Sequence, residues 1–120
     1  MATFQSFEEI DIWKKARTLT HAIYKISNSG ELAKDFGLKD QMRRASVSIM
    51  SNIAEGFERN NNKEFILFLK YAKSSAGELR CQLYVVLDQA YIEDAEVYQL
   101  IAEVTEVSKC ISGLIKYLKN

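Results

Sequence analysis

Apolar residues recur along the chain at alternating steps of three and four, the spacing that gathers side chains on one face of a helix. Four such runs occur. The first is expected over residues 11–28, with Ile12, Ala16, Leu19, Ile23 and Ile26 facing inward. Ser6 and Glu9 have capping-box spacing and would start it earlier. "NSGELAKDFG" then breaks the pattern. The second run covers residues 38–58, with Leu38, Met42, Ala45, Ile49, Asn52 and Gly56 as its stripe. After "RNNN", Asn61 is the expected N-cap of a third helix over residues 62–90, with Glu64 as its box partner. Its stripe is a heptad seam: Phe65, Leu69, Ala72, Ala76, Leu79, Leu83, Val86 and Ala90. Asp94 is expected to cap the fourth helix, residues 95–118. Val97, Ile101, Val104, Ser108, Ile111, Ile115 and Leu118 form its stripe, widened by Ile92, Tyr98, Leu100, Val107 and Leu114.

Short connections place consecutive helices antiparallel, so the stripes can be set in register. Folding the second run onto the third at "RNNN" pairs Met42 with Leu79, Ala45 with Ala76, and Gly56 with Phe65. The third and fourth runs likewise pair Ala90 with Val97, Leu83 with Val104, and Ala76 with Ile111. Both seams stay in step, which predicts an all-α, up-down-up-down four-helix bundle in a single domain.

The second run carries an unusual load of small polar residues for an inward stripe. Ala45 opposite Ala76 allows close approach. Asn52 on the seam costs stability but fixes register or oligomeric state. Ser48, Ser51 and Glu55 form a neighbouring stripe, with Arg44 above and Arg59 below. The third run has a second semi-apolar stripe: Leu67, Tyr71, Ser74, Glu78, Cys81 and Val85. Two such faces exceed what one bundle covers, which predicts self-association.

A length of 120 residues suffices for a core without metal or disulfide. The absence of proline leaves long helices uninterrupted. Sixteen basic and sixteen acidic residues give zero net charge, which argues against a strongly basic nucleic-acid binder and leaves room for a local patch. No secretory signal or ~20-residue apolar span is expected, so the expectation is a cytoplasmic protein with no membrane partner. Cys81 and Cys110 sit in apolar helical surroundings and are expected to be free, buried thiols.

Few residues point to catalysis. A di-metal carboxylate bundle needs Glu-x-x-His motifs, and His21 is the sole histidine. No zinc set, phosphate loop or nucleophile motif is present, so no cofactor and no enzyme is expected. Glu55 and Glu78 are the best isolated carboxylates, but the register sets them apart and puts Glu78 beside Arg43 or Arg44 as an interhelical ion pair. Basic residues are more suggestive. Lys63, Lys70, Lys73 and Arg80 recur along one exposed side of the third helix, and Arg17 with Lys14 forms a smaller cluster on the first. Such stripes suit phosphates, particularly when an oligomer repeats them.

"QMRRASVSIMSNIAEGFER" followed by "KEFILFLKYAKSSAGELRCQL", together with "IWKKA", resembles the four-helix bundle family encoded in intervening sequences of bacterial large-subunit ribosomal RNA genes. The resemblance implies a left-handed up-down-up-down bundle assembled as a ring-like homopentamer. It also implies kinship with the accessory variability determinant of diversity-generating retroelements, which works with a reverse transcriptase and nucleic acid. Arg43, Arg44, Ser48, Asn52, Glu55, Gly56, Arg59, Phe65, Ser75, Glu78 and Gln82 match the family's characteristic positions. The family offers no catalytic residues to transfer. Met50 stands where it often has proline, which implies a straighter second helix here, and Ser74 stands where it tends to have glycine. The reading is therefore a homo-oligomeric, non-enzymatic scaffold associated with RNA, DNA or a nucleic-acid enzyme. Lys70, Lys73 and Arg80 would meet phosphate, while Arg43, Glu78 and Asn52 hold the subunit geometry. The alternatives are a purely structural or protein-interaction oligomer, or an enzyme with a site at a subunit junction.

Overall fold

The computed structural model of the chain describes residues 4–120; the first three residues of the N-terminal stretch read for a signal lie outside it. A 3-10 turn, Phe7–Glu9, leads into α1 (Asp11–Ile26), the short α2 (Gly30–Lys34), α3 (Phe36–Glu58), α4 (Asn62–Gln89) and α5 (Asp94–Lys119). The described residues contain no strand. Packing runs round the bundle, from α1 to α3, α3 to α4, α4 to α5 and α5 back to α1. The body measures 45 × 19 × 19 Å. The 28 residues of α4 span about 42 Å at ~1.5 Å per residue, so this one helix runs almost its whole length.

The inward stripes are the core. Ala16, Ile23, Met42, Ile49, Leu69, Ala72, Leu79, Leu83, Val86, Val97 and Ile111 are all fully buried. The α3–α4 register appears in two contacts. Gly56 abuts Phe65 and Phe68, and Ser48 Oγ lies 2.8 Å from Ser75 Oγ. At Gly56 an added Cβ would stand 2.7 Å from Cβ of Phe68 and 3.0 Å from Cδ1 of Phe65. Helix α3 runs unbroken through Met50.

Several local expectations are corrected. The linker contains α2, which buries Leu32. Helix α3 starts two residues early, because Asp35 caps it by accepting from the Leu38 amide at 3.2 Å. Asn61 does cap α4, accepting from the Glu64 amide at 3.0 Å, but the Glu64 carboxylate turns to Arg59 at 3.5 Å and does not close the box. Ser6 precedes the 3-10 turn and Glu93 precedes α5, and neither makes a side-chain cap; Asp94 is the first residue of α5. Ala90 does not pair with Val97 in the core. It is exposed just past α4 in a left-handed conformation (φ 55°), where the Tyr91 amide bonds back to the Val86 carbonyl. That turn throws the chain outward and ends the seam at Val86. Tyr98 is also 54 % exposed and contributes little to the core. Neither cysteine is buried: Cys81 is exposed and Cys110 half-buried.

Candidate functional site

Two sides of the bundle carry the residues of interest. The first is the α3–α4 seam. Ser48 and Asn52, one turn apart on α3, meet Ser75 on α4. Asn52 Nδ2 donates to the Ser48 carbonyl at 2.8 Å and to Ser48 Oγ at 3.0 Å, while Ser48 and Ser75 share a hydroxyl hydrogen bond of 2.8 Å. Small side chains permit this close packing, and the hydrogen bonds offset the loss of water. Nearer the turn, Arg59 donates to Glu55 at 3.2 Å, pairs with Glu64 at 3.5 Å and lies 4.8 Å from the ring centre of Phe68. Phe68 in turn meets Tyr71 edge-on at 5.6 Å.

Other residues assigned to this seam lie elsewhere. Neither arginine forms an ion pair with Glu78. Arg43 turns to α1, where its Nε donates to Ser27 Oγ at 2.9 Å, its Nη2 reaches the Tyr24 carbonyl at 3.3 Å, and its guanidinium covers the Tyr24 ring at 4.4 Å. Arg44 pairs with Asp40 one turn away at 2.8 Å, which raises its pKa through that hydrogen bond and charge. Cation–π contact and a buried hydroxyl hold Arg43 on the α1 side, so Glu78 stays exposed with no ion pair. Gln82 sits two turns beyond Ser75, and its Oε1 is buried without a hydrogen bond.

The second side is the outer surface of α4, ordered in rows seven residues apart. Lys63, Lys70 and Tyr84 lie in one row with Gly77, and Lys73 with Arg80 in the next. All four cations are exposed. None has a carboxylate within ion-pair distance, whereas Lys15, Lys34, Arg44 and Arg59 on other faces all do. Lys73 Nζ donates to Ser108 Oγ on α5 at 3.0 Å, so this row borders α5. Lys63 and Lys70 flank a shallow recess of about 470 Å³ with Leu67. Beside the basic rows run Leu67 (44 % exposed), Tyr71 (49 %) and Val85 (40 %), the second semi-apolar stripe. Arg17 does not join them. It lies on α1, across the bundle from α4, 5.7 Å from the Trp13 ring.

Sequence reasoning missed Tyr24, Ser27, Asp35, Phe68 and Tyr91. Ser27 follows Ile23 by four residues on the inward stripe of α1, and that spacing was the available signal. Tyr91 donates to Asp35 Oδ2 at 3.0 Å, a contact between positions 56 apart that no local pattern announces. His21 is exposed. Among the described residues no three His, Cys, Asp or Glu side chains cluster as a metal site, and no helix is long and apolar enough to cross a membrane.

The family model described as "23S rRNA-intervening sequence protein" matches residues 8–113. None of the curated proteins matches the chain. Among solved structures, a protein of unknown function from the S23 ribosomal protein family of Bacteroides thetaiotaomicron superposes with a TM-score of 0.79. It is 25 % identical, over 88 % of this chain and 98 % of that one.

Proposed function

The chain belongs to the 23S rRNA-intervening sequence protein family, and from that premise we propose that it is a non-enzymatic oligomeric scaffold that associates with nucleic acid. The reading includes the finer architecture that the resemblance implies, a left-handed up-down-up-down bundle repeated in a homopentameric ring, and places it in the cytoplasm. The observation that carries it is the outer face of α4. Lys63, Lys70, Lys73 and Arg80 stand there without carboxylate partners, with the exposed ring of Tyr84 in the same row as Lys63 and Lys70. Unpaired cations beside an aromatic ring suit a phosphate backbone and an unstacked base. One subunit of zero net charge would bind weakly. A ring that repeats the face adds effective concentration, so weak contacts sum to useful affinity.

The adjoining row of Leu67, Tyr71 and Val85 favours a second reading, an oligomer whose partner is another protein, such as a reverse-transcriptase-like enzyme. The enzyme reading gains nothing from the site, since Glu55 is engaged by Arg59.

Fluorescence anisotropy with an RNA hairpin and a matched DNA duplex, titrated at several salt concentrations, tests the proposal. Expected is affinity that falls steeply with salt, and Lys70→Glu/Lys73→Glu should lose most binding and flatten the salt slope by about 2. Equal binding by that variant would remove α4 as the contact, and no binding at low salt would leave the protein-scaffold reading.

A further inference from the structure

Helices α1 and α5 pack less closely than α3 with α4 or α4 with α5, and clefts remain between them. Two clefts of about 370 and 540 Å³ lie along this side, and Glu103 lines both, so they form one groove. Its floor is apolar, from Leu19 and Val107 at one end to Ile26 and Leu100 at the other. Its walls have opposite sign: Lys14, Lys15 and Lys25 on α1 face Glu96, Glu103 and Glu106 on α5. Most of these charges do not neutralise one another. One pair meets, Lys15 with Glu106 at 3.8 Å, and both side chains remain half exposed. Lys14, Lys25 and Glu96 make no ion pair, and Glu103 is met by Gln99 alone, at 3.0 Å.

We propose that this groove is a contact with a second copy of the chain, packed about a two-fold axis parallel to the groove. Charge selects both the occupant and the axis. The lining sets Lys14 and Lys15 level with Glu103 and Glu106, and Lys25 level with Glu96. Rotation by half a turn about an axis along the groove preserves these levels and exchanges the sides. The basic wall of each copy then lies over the acidic wall of the other, and the two apolar floors face each other. A two-fold axis across the groove would instead set α1 on α1 and lysine on lysine. The contact is isologous, whereas a ring requires a heterologous one. It also lies on the opposite side of the bundle from α3 and α4, so it does not depend on the ring. The length of α1, 16 residues at ~1.5 Å each, and a width of two helices at ~10 Å give a footprint of about 500 Å², an upper bound on the area buried per copy because two facing clefts meet along their walls. That is at most about 1,000 Å² in all, the lower bound of a specific interface. The association is therefore weak and, being charge-paired, sensitive to salt.

Sedimentation velocity and native mass spectrometry on the full chain test this. The wild type should show a species of twice its basic assembly mass that dissociates as salt rises. Lys14→Glu/Lys15→Glu/Lys25→Glu and Glu96→Lys/Glu103→Lys/Glu106→Lys should each lose the doubling by at least tenfold, and an equimolar mixture should restore it. A chain carrying all six substitutions keeps opposite walls within the subunit, which controls for folding. It should pair with itself and not with isotopically labelled wild type. Doubling unaffected in the triple variants, free mixing of the six-fold variant with wild type, or no doubled species at any concentration would each overturn the proposal. The last result would leave the groove to a ligand of another kind. Failure of nucleic-acid binding or of the ring would not bear on it, because the readout is doubling alone.

Discussion

A methyl group on Gly56 would stand 2.7 Å from Cβ of Phe68, an atom fixed by its own helix, so the helices must part to admit it. Overpacking of this kind costs about 1–3 kcal/mol, and alanine's better helix propensity returns about 1 kcal/mol. Gly56→Ala is therefore expected to lower stability by up to roughly 2 kcal/mol, read as a lower urea midpoint at fixed protein concentration. Gly77 meets nothing within 4 Å at the same position, so Gly77→Ala should gain about 1 kcal/mol; equal effects at the two sites would refute the close approach. Small residues at Ala45, Gly56 and Ala76 announced this seam, and an inward-facing Asn52 beside Ser48 announced its polar network. The Arg43 contacts were not legible. A guanidinium at that position can reach either neighbouring helix, and Tyr24 with buried Ser27 decides for α1.

Helix boundaries were legible wherever one stripe dominated. They failed at the junctions, where a distant residue competes with local pattern. Asp35 is the clearest case. It caps α3 and also accepts the Tyr91 hydroxyl, so it ties the start of α3 to the α4–α5 turn. A sequence window holding Asp35 contains nothing of Tyr91. The hydrogen bond to Asp35 raises the Tyr91 pKa above its ordinary 10.0, with burial and the Asp35 charge adding to it. The neutral hydroxyl is the form that donates. A group whose pKa is raised on folding stabilises below its unfolded pKa and loses that contribution as pH rises through the folded value. Melting temperatures of wild type and Tyr91→Phe should accordingly differ modestly at pH 8 and converge above pH 10. A gap that persists unchanged at high pH would mean the ring, not the hydroxyl, carries the effect.

At the scale of the molecule, the four sides of the bundle are chemically distinct. The α1–α3 side is sealed by Arg43 over Tyr24, and the α1–α5 side is an open groove with walls of opposite charge. Unpaired cations stand along the α4–α5 edge. The α3–α4 side keeps Leu67, Tyr71 and Val85 40–49 % exposed beside a seam of small polar residues. This last side suits the proposed ring contact, since partly buried apolar side chains in register along one helix gain from a further layer. Completing the burial of Leu67 and Val85 is worth about 1 kcal/mol each, half the value of a fully buried aliphatic side chain. Leu67→Ser/Val85→Ser should then weaken each subunit contact by about 2 kcal/mol, or roughly thirtyfold. Light scattering across a dilution series would show the lower mass appearing at correspondingly higher concentration. The helical circular-dichroism signal should be unchanged, because neither residue belongs to the buried core. If the mass held constant on dilution, the oligomer would have to be built on another side, and the apolar row would be free for a partner of a different kind.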